Sequence, residues 1–347
     1  MVYRNFRNGF GMYKEFFGLQ KLPFNLTPDP AFLFLPAKHR EALAGLTYSI
    51  LERKGFIVLT GDAGTGKTTL LSSVLNILPS DRIQSSVILN PTLTPSEFLE
   101  MVLLDFDISD VPASKAQRLW KLQEFLSRAA RQGKVALLVI DEAHKLSSEV
   151  LEEIRLLGNY ESATDKFLQI LLLGQSELDD LLNRQDLRQF KQRIALRLYI
   201  DPLNALEAEK YIRFRWVKAG GGEISPFAPD ALSGVYQWSR GIPRLINSIC
   251  DNALLMAYGE KSHSVGLKFV REAATNLALV DGHSLPSVVP RPVAAPALPE
   301  SHIKPAANPN SLLDLHHDNH LIPNLGPYDA PRTNSSLLKR LAGKFGI

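Results

Sequence analysis

The stretch "FIVLTGDAGTGKTTL", Phe56 to Leu70, is the feature that most limits the folds open to this chain. It joins an apolar run to the pattern G-x-x-x-x-G-K-[ST], which spans Gly61 to Thr68 and directly precedes a helix-patterned segment. Glycines in such a loop let successive N–H groups face one anion, and the first turn of the helix adds partial positive charge. The order strand, loop, helix predicts a phosphate-binding loop at one edge of a parallel sheet.

The side chains of this loop indicate which ligands it takes. Lys67 offers a mobile cation to phosphate oxygens, and the Thr68 hydroxyl is suited to ligate Mg²⁺. ATP and Mg²⁺ are therefore the expected ligands. The predicted nucleotide-binding residues are Gly61, Asp62, Ala63, Gly64, Thr65, Gly66, Lys67, Thr68 and Thr69.

Further apolar runs predict the fold class. They lie at 85–90, 135–141, 168–174 and 196–201, and helix-patterned segments separate them. Runs of Val, Ile and Leu without polar alternation are typical of strands covered on both faces, so we predict an α/β fold with a parallel sheet flanked by helices. From Asn204 to about Leu279 the patterns are helical only, which predicts a second, small all-helical domain.

The predicted domain organisation has five parts. Residues 1–35 form an N-terminal segment whose prolines and aromatic residues favour an extended, packed chain over a helix. Residues 36–202 form the nucleotide-binding domain and residues 203–280 the helical domain. Ten of the 22 prolines lie between Pro286 and Pro331, which predicts a disordered linker over 281–332. Residues 333–347 are patterned as a short amphipathic helix that docks on a partner or an anionic membrane surface, with a loosely ordered tail as the alternative.

Composition narrows the compartment and the partners. A single cysteine, Cys250, leaves no disulfide framework and no cysteine-built zinc site, and suits a reducing compartment. The net charge of +3, from 39 basic and 36 acidic residues, indicates no broad polyanion-binding surface. No apolar run reaches the ~18 to 20 residues of a membrane span, and the N-terminus lacks a signal-peptide core. We expect a cytoplasmic protein, with peripheral attachment at the inner membrane as a further expectation.

An acidic pair ends the run "VALLVIDEAHKL", Val135 to Leu146. Asp141 follows the predicted strand, where a carboxylate can hold Mg²⁺ through water. Glu142 is the predicted base that orients and activates the attacking water, the role that separates a hydrolysing ATPase from a nucleotide-binding switch. We expect His144 to be a packing or solvent-facing histidine. The same letters, DEAH, occur in helicases, but a helicase needs a second sheet domain, and only helical patterns follow Asp201.

Four more polar residues fit an oligomeric ATPase. Gln175 ends a strand, where an amide can sense the γ-phosphate, and Asn90 ends another, where it can hold Glu142 inactive. Arg193 precedes the last strand and suits a cation that reaches a neighbouring subunit's γ-phosphate, although Arg188 and Arg197 compete for that role. Arg244 begins a helix of the second domain, where a guanidinium can couple domain closure to nucleotide state.

Together these motifs resemble the AAA+ ATPases of the general secretion pathway protein A (ExeA) family. The likeness runs from about Met12 to Leu279 and includes "MYKEFFGLQKLPFNLTPDPAFLF", "HREAL", "GDAGTGKTTL", "VIDEAH", "LLLGQSEL", "KQRI" and "GIPRLIN". It implies a P-loop NTPase (AAA+) core with sheet order 5-1-4-3-2, a helical lid and ATP-driven ring assembly. It also implies that residues 32–40 lie near adenine.

The resemblance implies site roles as well. It makes Lys67 the P-loop lysine, Asp141 the Mg²⁺ acid and Glu142 the catalytic base. It makes Gln175 sensor 1, Arg193 the arginine finger and Arg244 sensor 2. Family members that act in secretin assembly continue after the lid into a membrane span and a peptidoglycan-binding domain, whereas this chain continues into the Pro-rich segment.

Three functions remain open at this level. The first is a homo-oligomeric ATPase, with a hexameric ring as one expected form, that remodels or assembles a protein partner in a secretion, pilus or exopolysaccharide-export system. The second is a DNA-associated AAA+ regulator of the transposition type. It is disfavoured because residues 105–118 set only Lys115 and Arg118 against several aspartates. The third is a nucleotide-gated scaffold with negligible turnover.

Overall fold

The computed structural model of the chain describes residues 12–27, 29–162 and 165–279. The strands are β1 Phe56–Gly61, β2 Ile83–Ile88, β3 Val135–Ile140, β4 Leu168–Gly174 and β5 Ile194–Ile200. The helices are α1 Met12–Phe16, α2 Ala37–Leu51, α3 Lys67–Ile77, α4 Pro95–Asp105, α5 Lys115–Arg131, α6 Ser148–Leu157, α7 Ser176–Leu182, α8 Arg188–Lys191, α9 Ala205–Lys218, α10 Pro229–Ser239, α11 Pro243–Gly259 and α12 Leu267–Asn276. The linker predicted over 281–332 and the helix predicted over 333–347 lie outside the described residues.

The five strands form one parallel sheet in the order β2-β3-β4-β1-β5. This is the order 5-1-4-3-2 that the family resemblance implies, so the expectation is confirmed. In a parallel sheet all the carboxyl ends lie at one edge. The residues that follow β1, β3 and β4 therefore emerge side by side, with β4 between the other two.

The central strands are buried on both faces, as their unbroken apolar runs predict. Along β3, Ala136, Leu138 and Ile140 belong to a core with α4, α5 and α6, whereas Leu137 and Val139 belong to a core with α2 and α3. This alternation follows from the two-residue period of a strand. The outer strand β5 alternates half-buried and exposed positions and buries only Ile200 fully, since it pairs only with β1 among the described strands.

A third core joins the N-terminal segment to the helical domain. Tyr13, Leu19, Phe24 and Phe32 pack among the buried residues of α9 to α12. Arg215 of α9 clamps the segment, because its guanidinium donates to the carbonyl oxygens of Pro23 and Asn25 and lies 4.8 Å from the Phe32 ring centroid. The N-terminal segment and the helical domain therefore share one hydrophobic core. The helical domain alone is called the lid below.

The N-terminal segment differs in one respect from its predicted extended form. Met12–Phe16 is a short helix, and Pro30–Phe32 forms a 3₁₀ turn. Packing explains the helix, because Tyr13 is buried and donates a hydrogen bond to Asp251 of α11. Tertiary contacts thus outweigh the weak local preference of five residues.

The lid consists of helices, as predicted, apart from one isolated bridge between Phe227 and Val265. Its first helix, α9, begins with a capping box. The Asn204 side chain accepts from the backbone N–H of Glu207, and the Glu207 side chain accepts from the backbone N–H of Asn204. Pro243 occupies the first turn of α11, where its missing N–H costs nothing. Within the described ranges, no helix combines the length and the apolar character that a membrane span requires.

Candidate functional site

The glycine-rich loop leaves β1 at Gly61 and enters α3 at Lys67. Gly66 caps the helix in the left-handed region, with φ of 102°. The Lys67 ammonium lies inside the loop and donates to the carbonyl oxygens of Gly61 at 2.7 Å and Asp62 at 2.9 Å. Burial lowers the pKa of Lys67, and the carboxylates of Asp141 and Glu142 act against that shift. The loop thus encloses the buried Lys67 ammonium, whose hydrogen-bond acceptors are neutral carbonyl oxygens.

The lid touches this loop directly. The backbone N–H of Arg244, in the first turn of α11, donates to the carbonyl oxygen of Gly64 at 3.3 Å. Gly64 has φ of +82°, and a Cβ there would meet Cβ of Arg244 at 2.8 Å and Cγ2 of Ile242 at 3.1 Å. Glycine at this position therefore serves both the loop conformation and the close approach of the lid.

Asp141 and Thr68 face each other across the sheet edge. The Thr68 hydroxyl donates to Oδ2 of Asp141 at 3.4 Å, and Oδ1 of Asp141 accepts from the Glu142 N–H at 2.8 Å. Burial raises the pKa of Asp141, and the hydrogen bond from Glu142 lowers it. The structure thus brings together the two residues that the sequence predicts as Mg²⁺ ligands.

Glu142 follows Asp141 in a strained conformation, with φ of 52° and ψ of 34°. A non-glycine residue in the left-handed region persists only where the surrounding structure holds it, and such residues cluster at functional sites. Its side chain is 36% exposed, and its carboxylate pairs with Lys145 at 3.3 Å and with Nε2 of His144 at 3.5 Å. The carboxylate of the predicted base is thus held by its own turn in this structure.

His144 links Glu142 to Gln175, a contact that sequence reasoning missed. Its Nδ1 accepts from the Gln175 backbone N–H at 3.4 Å, which leaves the proton of the neutral ring on Nε2, facing Glu142. The Gln175 side-chain amide lies 3.5 Å from that same Nε2. With its side chain only 13% exposed, His144 is not solvent-facing. The position of His144 two residues after Glu142 gives no sign of its contact with Gln175, because Gln175 follows another strand.

Asn90, the residue predicted to control Glu142, lies in the loop after β2, the strand that pairs with the one Glu142 follows. β2 ends at Ile88, so Asn90 occupies an exposed loop position two residues beyond the strand. The described ion-pair partners of the Glu142 carboxylate are His144 and Lys145. The role of Asn90 as a switch for Glu142 stays a prediction.

Arg193 lies at the opposite edge of the sheet from the loop. It immediately precedes β5, whereas Gly61 pairs with Ile200 at the far end of that strand. Seven residues at about 3.3 Å each separate the two edges by roughly 20 Å, longer than any side chain. Arg193 is held by Asn159 Oδ1 at 2.5 Å and by the carbonyl oxygen of Arg155 at 3.1 Å.

The two arginines that compete with Arg193 have different surroundings. Arg197 lies within β5 and pairs with Asp179 at 3.5 Å. Arg188 begins α8 and is exposed. Arg193 and Arg197 therefore both have described partners that hold the guanidinium, and Arg193 lies at the sheet edge away from the loop.

A pocket lies beside the loop, between the α/β domain and the lid. Residues 32–35 and His39 line one side, Thr65, Gly66, Thr69 and Leu70 form the floor, and the lid supplies Leu203, Tyr211, Arg215 and Pro243. The segment that the resemblance assigned to the adenine surroundings does border this pocket. A phosphate chain on the loop would direct the nucleoside into it.

Comparison with known sequences agrees with this architecture. The profile of the AAA domain family matches residues 50–182. General secretion pathway protein A of Aeromonas hydrophila is 40% identical over 256 residues, which cover 73% of this chain and 46% of that protein. The chain is a P-loop AAA+ protein and, over these residues, a homologue of general secretion pathway protein A. It spans about half the length of this relative.

Solved structures show the same AAA+ fold in more distant proteins. Drosophila ORC bound to DNA aligns with a TM-score of 0.57 and 18% identity, over 80% of this chain and 69% of that one. Cdc6p from Pyrobaculum aerophilum aligns with a TM-score of 0.55 and 18% identity, over 72% and 71%. At such identities the likeness extends to the fold alone.

The AAA+ family implies Mg²⁺ together with nucleotide, and the residues present fit that ion. Thr68 and Asp141 offer only oxygen donors, which Mg²⁺ prefers. Among the described hydrogen bonds of Oδ2 of Asp141, the shortest is the one from the Thr68 hydroxyl, at 3.4 Å. The two oxygens can therefore accept a hydrated cation without losing a short hydrogen bond.

The contact between lid and loop predicts a difference between two glycine substitutions. Gly64→Ala and Gly133→Ala both place a side chain at positive φ, but nothing lies within 4 Å of the added Cβ at Gly133. We expect Gly133→Ala to lower the free energy of unfolding by about 1 kcal/mol. Gly64→Ala should cost about 1–3 kcal/mol more, because its Cβ overlaps Arg244 and Ile242. Urea unfolding measures both, and equal losses would mean that the lid does not rest on Gly64 in solution.

Proposed function

We propose that this chain binds ATP with Mg²⁺, hydrolyses it, and uses the cycle as a homo-oligomer to remodel or assemble a protein partner in a secretion or envelope-export system. The observation that carries the proposal is the convergence of Lys67, Asp141 with Glu142, and Gln175 at one sheet edge. A phosphate-binding loop alone supports nucleotide binding. The added acid and amide support hydrolysis.

The chemistry follows from the positions of these side chains. Water attacks the γ-phosphorus, the bond to the β-γ bridging oxygen breaks, and the water proton passes to Glu142. Lys67 leaves the carbonyl oxygens of Gly61 and Asp62 and binds phosphate oxygens. A bound Mg²⁺ on Thr68 and Asp141 would neutralise charge on the phosphates. ADP, inorganic phosphate and a proton are the products.

His144 acts in this proposal as a positioning residue. Its ring is fixed by the Gln175 backbone and presents Nε2–H to the Glu142 carboxylate. A base held this way keeps one orientation at little entropic cost when the reaction begins. Because Gln175 is the proposed γ-phosphate sensor, His144 also connects the sensor to the base.

Oligomerisation is proposed from the position of Arg193. An arginine roughly 20 Å from its own loop can assist hydrolysis only at another subunit's site. Its hydrogen bonds to Asn159 and Arg155 keep the guanidinium in place at the sheet edge. We propose that the subunits form a closed ring, without assigning their number.

The protein-partner reading is preferred over DNA for two reasons. The Aeromonas hydrophila relative is named for a secretion pathway. In addition, the two cations of residues 105–118 are engaged within the chain: Lys115 pairs with Glu153, and Arg118 is buried against Glu100, Ser96 and Pro112. A cytoplasmic position with peripheral contact at the inner membrane belongs to this proposal. ATPase rates that rise strongly with duplex DNA would contradict it.

Glu142→Gln tests whether hydrolysis takes place as proposed. The amide keeps the size of the side chain and cannot accept a proton, so we expect hydrolysis to fall about 10²- to 10⁴-fold with ATP binding retained. ATP should then hold the assembled oligomer, seen as increased mass in light scattering. Lys145→Gln, which removes only the exposed partner of Glu142, is the matched control and should stay near the wild-type rate. A wild-type rate in Glu142→Gln would refute the base assignment.

The contacts of His144 through Nδ1 and through Nε2 can be tested separately. His144→Asn keeps an acceptor near Nδ1, and His144→Gln keeps a donor near Nε2. We expect His144→Ala to lower kcat about tenfold with KM little changed, and His144→Gln to recover part of the loss. Steady-state kinetics with ATP measures both constants. Equal kcat in wild type and His144→Ala would show that the ring does not orient Glu142.

Arg193→Ala should bind ATP and lose hydrolysis by about 10³-fold, if the guanidinium acts across a subunit boundary. Lys67→Ala should lose nucleotide binding but still offer its Arg193 to a neighbour. Mixing the two inactive variants should therefore restore part of the activity, measured as phosphate release against mixing ratio. Arg188→Ala is the matched control and should be active alone. No recovery in any mixture would place Arg193 outside the shared site.

A further inference from the structure

One side chain that lines the pocket beside the glycine-rich loop, His39, has a buried polar atom without a described partner. His39 of α2 is 7% exposed, and its Nδ1 has no hydrogen-bond partner among the described residues. Its other ring nitrogen, Nε2, lies 3.3 Å from the carbonyl oxygen of Thr65. Since a carbonyl only accepts, Nε2 carries the proton and Nδ1 is an unpaired acceptor.

The other buried polar side chains of the pocket are already engaged. Tyr211 donates to Asn247 and accepts from Arg215. Arg215 also donates to the carbonyl oxygens of Pro23 and Asn25. Thr65 donates its hydroxyl to Asp62. His39 Nδ1 is therefore the buried group that still requires a donor, and a buried acceptor left unpaired is costly.

The walls of the pocket suit a flat aromatic ligand. Leu70 on one side, and Leu203 and Pro243 on the lid side, are apolar. Thr65 and Gly66 belong to the phosphate-binding loop, so a base joined to phosphates on that loop reaches this space. Adenine carries one kind of hydrogen-bond donor on its ring system, the 6-amino group. Guanine presents a carbonyl oxygen at the same place, which would meet the Nδ1 lone pair.

We propose that Nδ1 of His39 accepts a hydrogen bond from the 6-amino group of adenine and makes the site selective for adenine nucleotides. This deepens the proposed function, on which it rests, by assigning base selection to one side chain. Burial lowers the pKa of His39, which keeps the ring neutral and Nδ1 free to accept.

Access to Nδ1 depends on the lid. The atom is shielded from solvent in this arrangement, and the lid with its attached N-terminal segment supplies most of the residues that line the pocket. Entry of the base requires that this wall move away from α2. The loop side stays in place, because Thr65 holds the His39 ring from below through Nε2.

Binding of ADP and of purine riboside 5′-diphosphate, which has hydrogen in place of the 6-amino group, tests the proposal. Both ligands avoid hydrolysis, and calorimetry on the full chain gives both Kd values. Wild type should bind ADP about tenfold more tightly than the analogue, the factor expected of one buried hydrogen bond. His39→Phe should bind the two ligands equally. His39→Asn, which keeps an acceptor near Nδ1, should retain part of the preference.

His263→Phe is the matched control. His263 stacks on Phe16 within the lid, away from the pocket, so the preference for ADP should remain. Equal affinities of wild type for the two ligands would overturn the inference and leave the proposed ATP binding intact, and this result needs no variant to fold. Loss of affinity for both ligands in the same ratio in His39→Phe would assign His39 a structural role only. Failure of wild type to bind either ligand would overturn the proposed function itself.

Discussion

The place of β4 between β1 and β3 is the constraint on which the site depends. Parallel pairing aligns Leu59 with Leu173 and Ile140 with Leu172, so the three strands end at one edge. The loop, the acidic pair and Gln175 then emerge from adjacent strand ends, although long stretches of sequence separate them. Burial of these strands on both faces makes the edge rigid.

A second consequence follows from how the hydrophobic cores are divided. Two cores lie on the faces of the sheet, and the third joins the N-terminal segment to the lid. The pocket lies where the third core meets the glycine-rich loop. Arg215 holds the segment against the lid through Pro23, Asn25 and Phe32. Nucleotide state and lid position can be coupled through Gly64 and the first turn of α11.

The electrostatics of the site leave a place for phosphates. The Lys67 ammonium is buried, satisfied by two neutral carbonyl oxygens, and stabilised at longer range by Asp141 and Glu142. Glu142 in turn is held in the left-handed region by its own turn, next to His144 and Lys145. Phosphate oxygens can replace the carbonyl partners of Lys67 without leaving this buried charge unpaired.

The sequence by itself determined the fold class, the loop, and the acids after β3, because these depend on local signals: apolar runs, a glycine pattern with Lys67, and polar residues at strand ends. The strand order came from family resemblance, and the structure confirmed it. Only the tertiary structure placed His144 against Gln175, left Asn90 in an exposed loop, and joined the N-terminal segment to the lid. Among the described residues, it also left Nδ1 of His39, a residue of the pocket wall, as an unpaired acceptor. Such contacts join residues far apart in the chain, and no local pattern records which distant partner a side chain will meet.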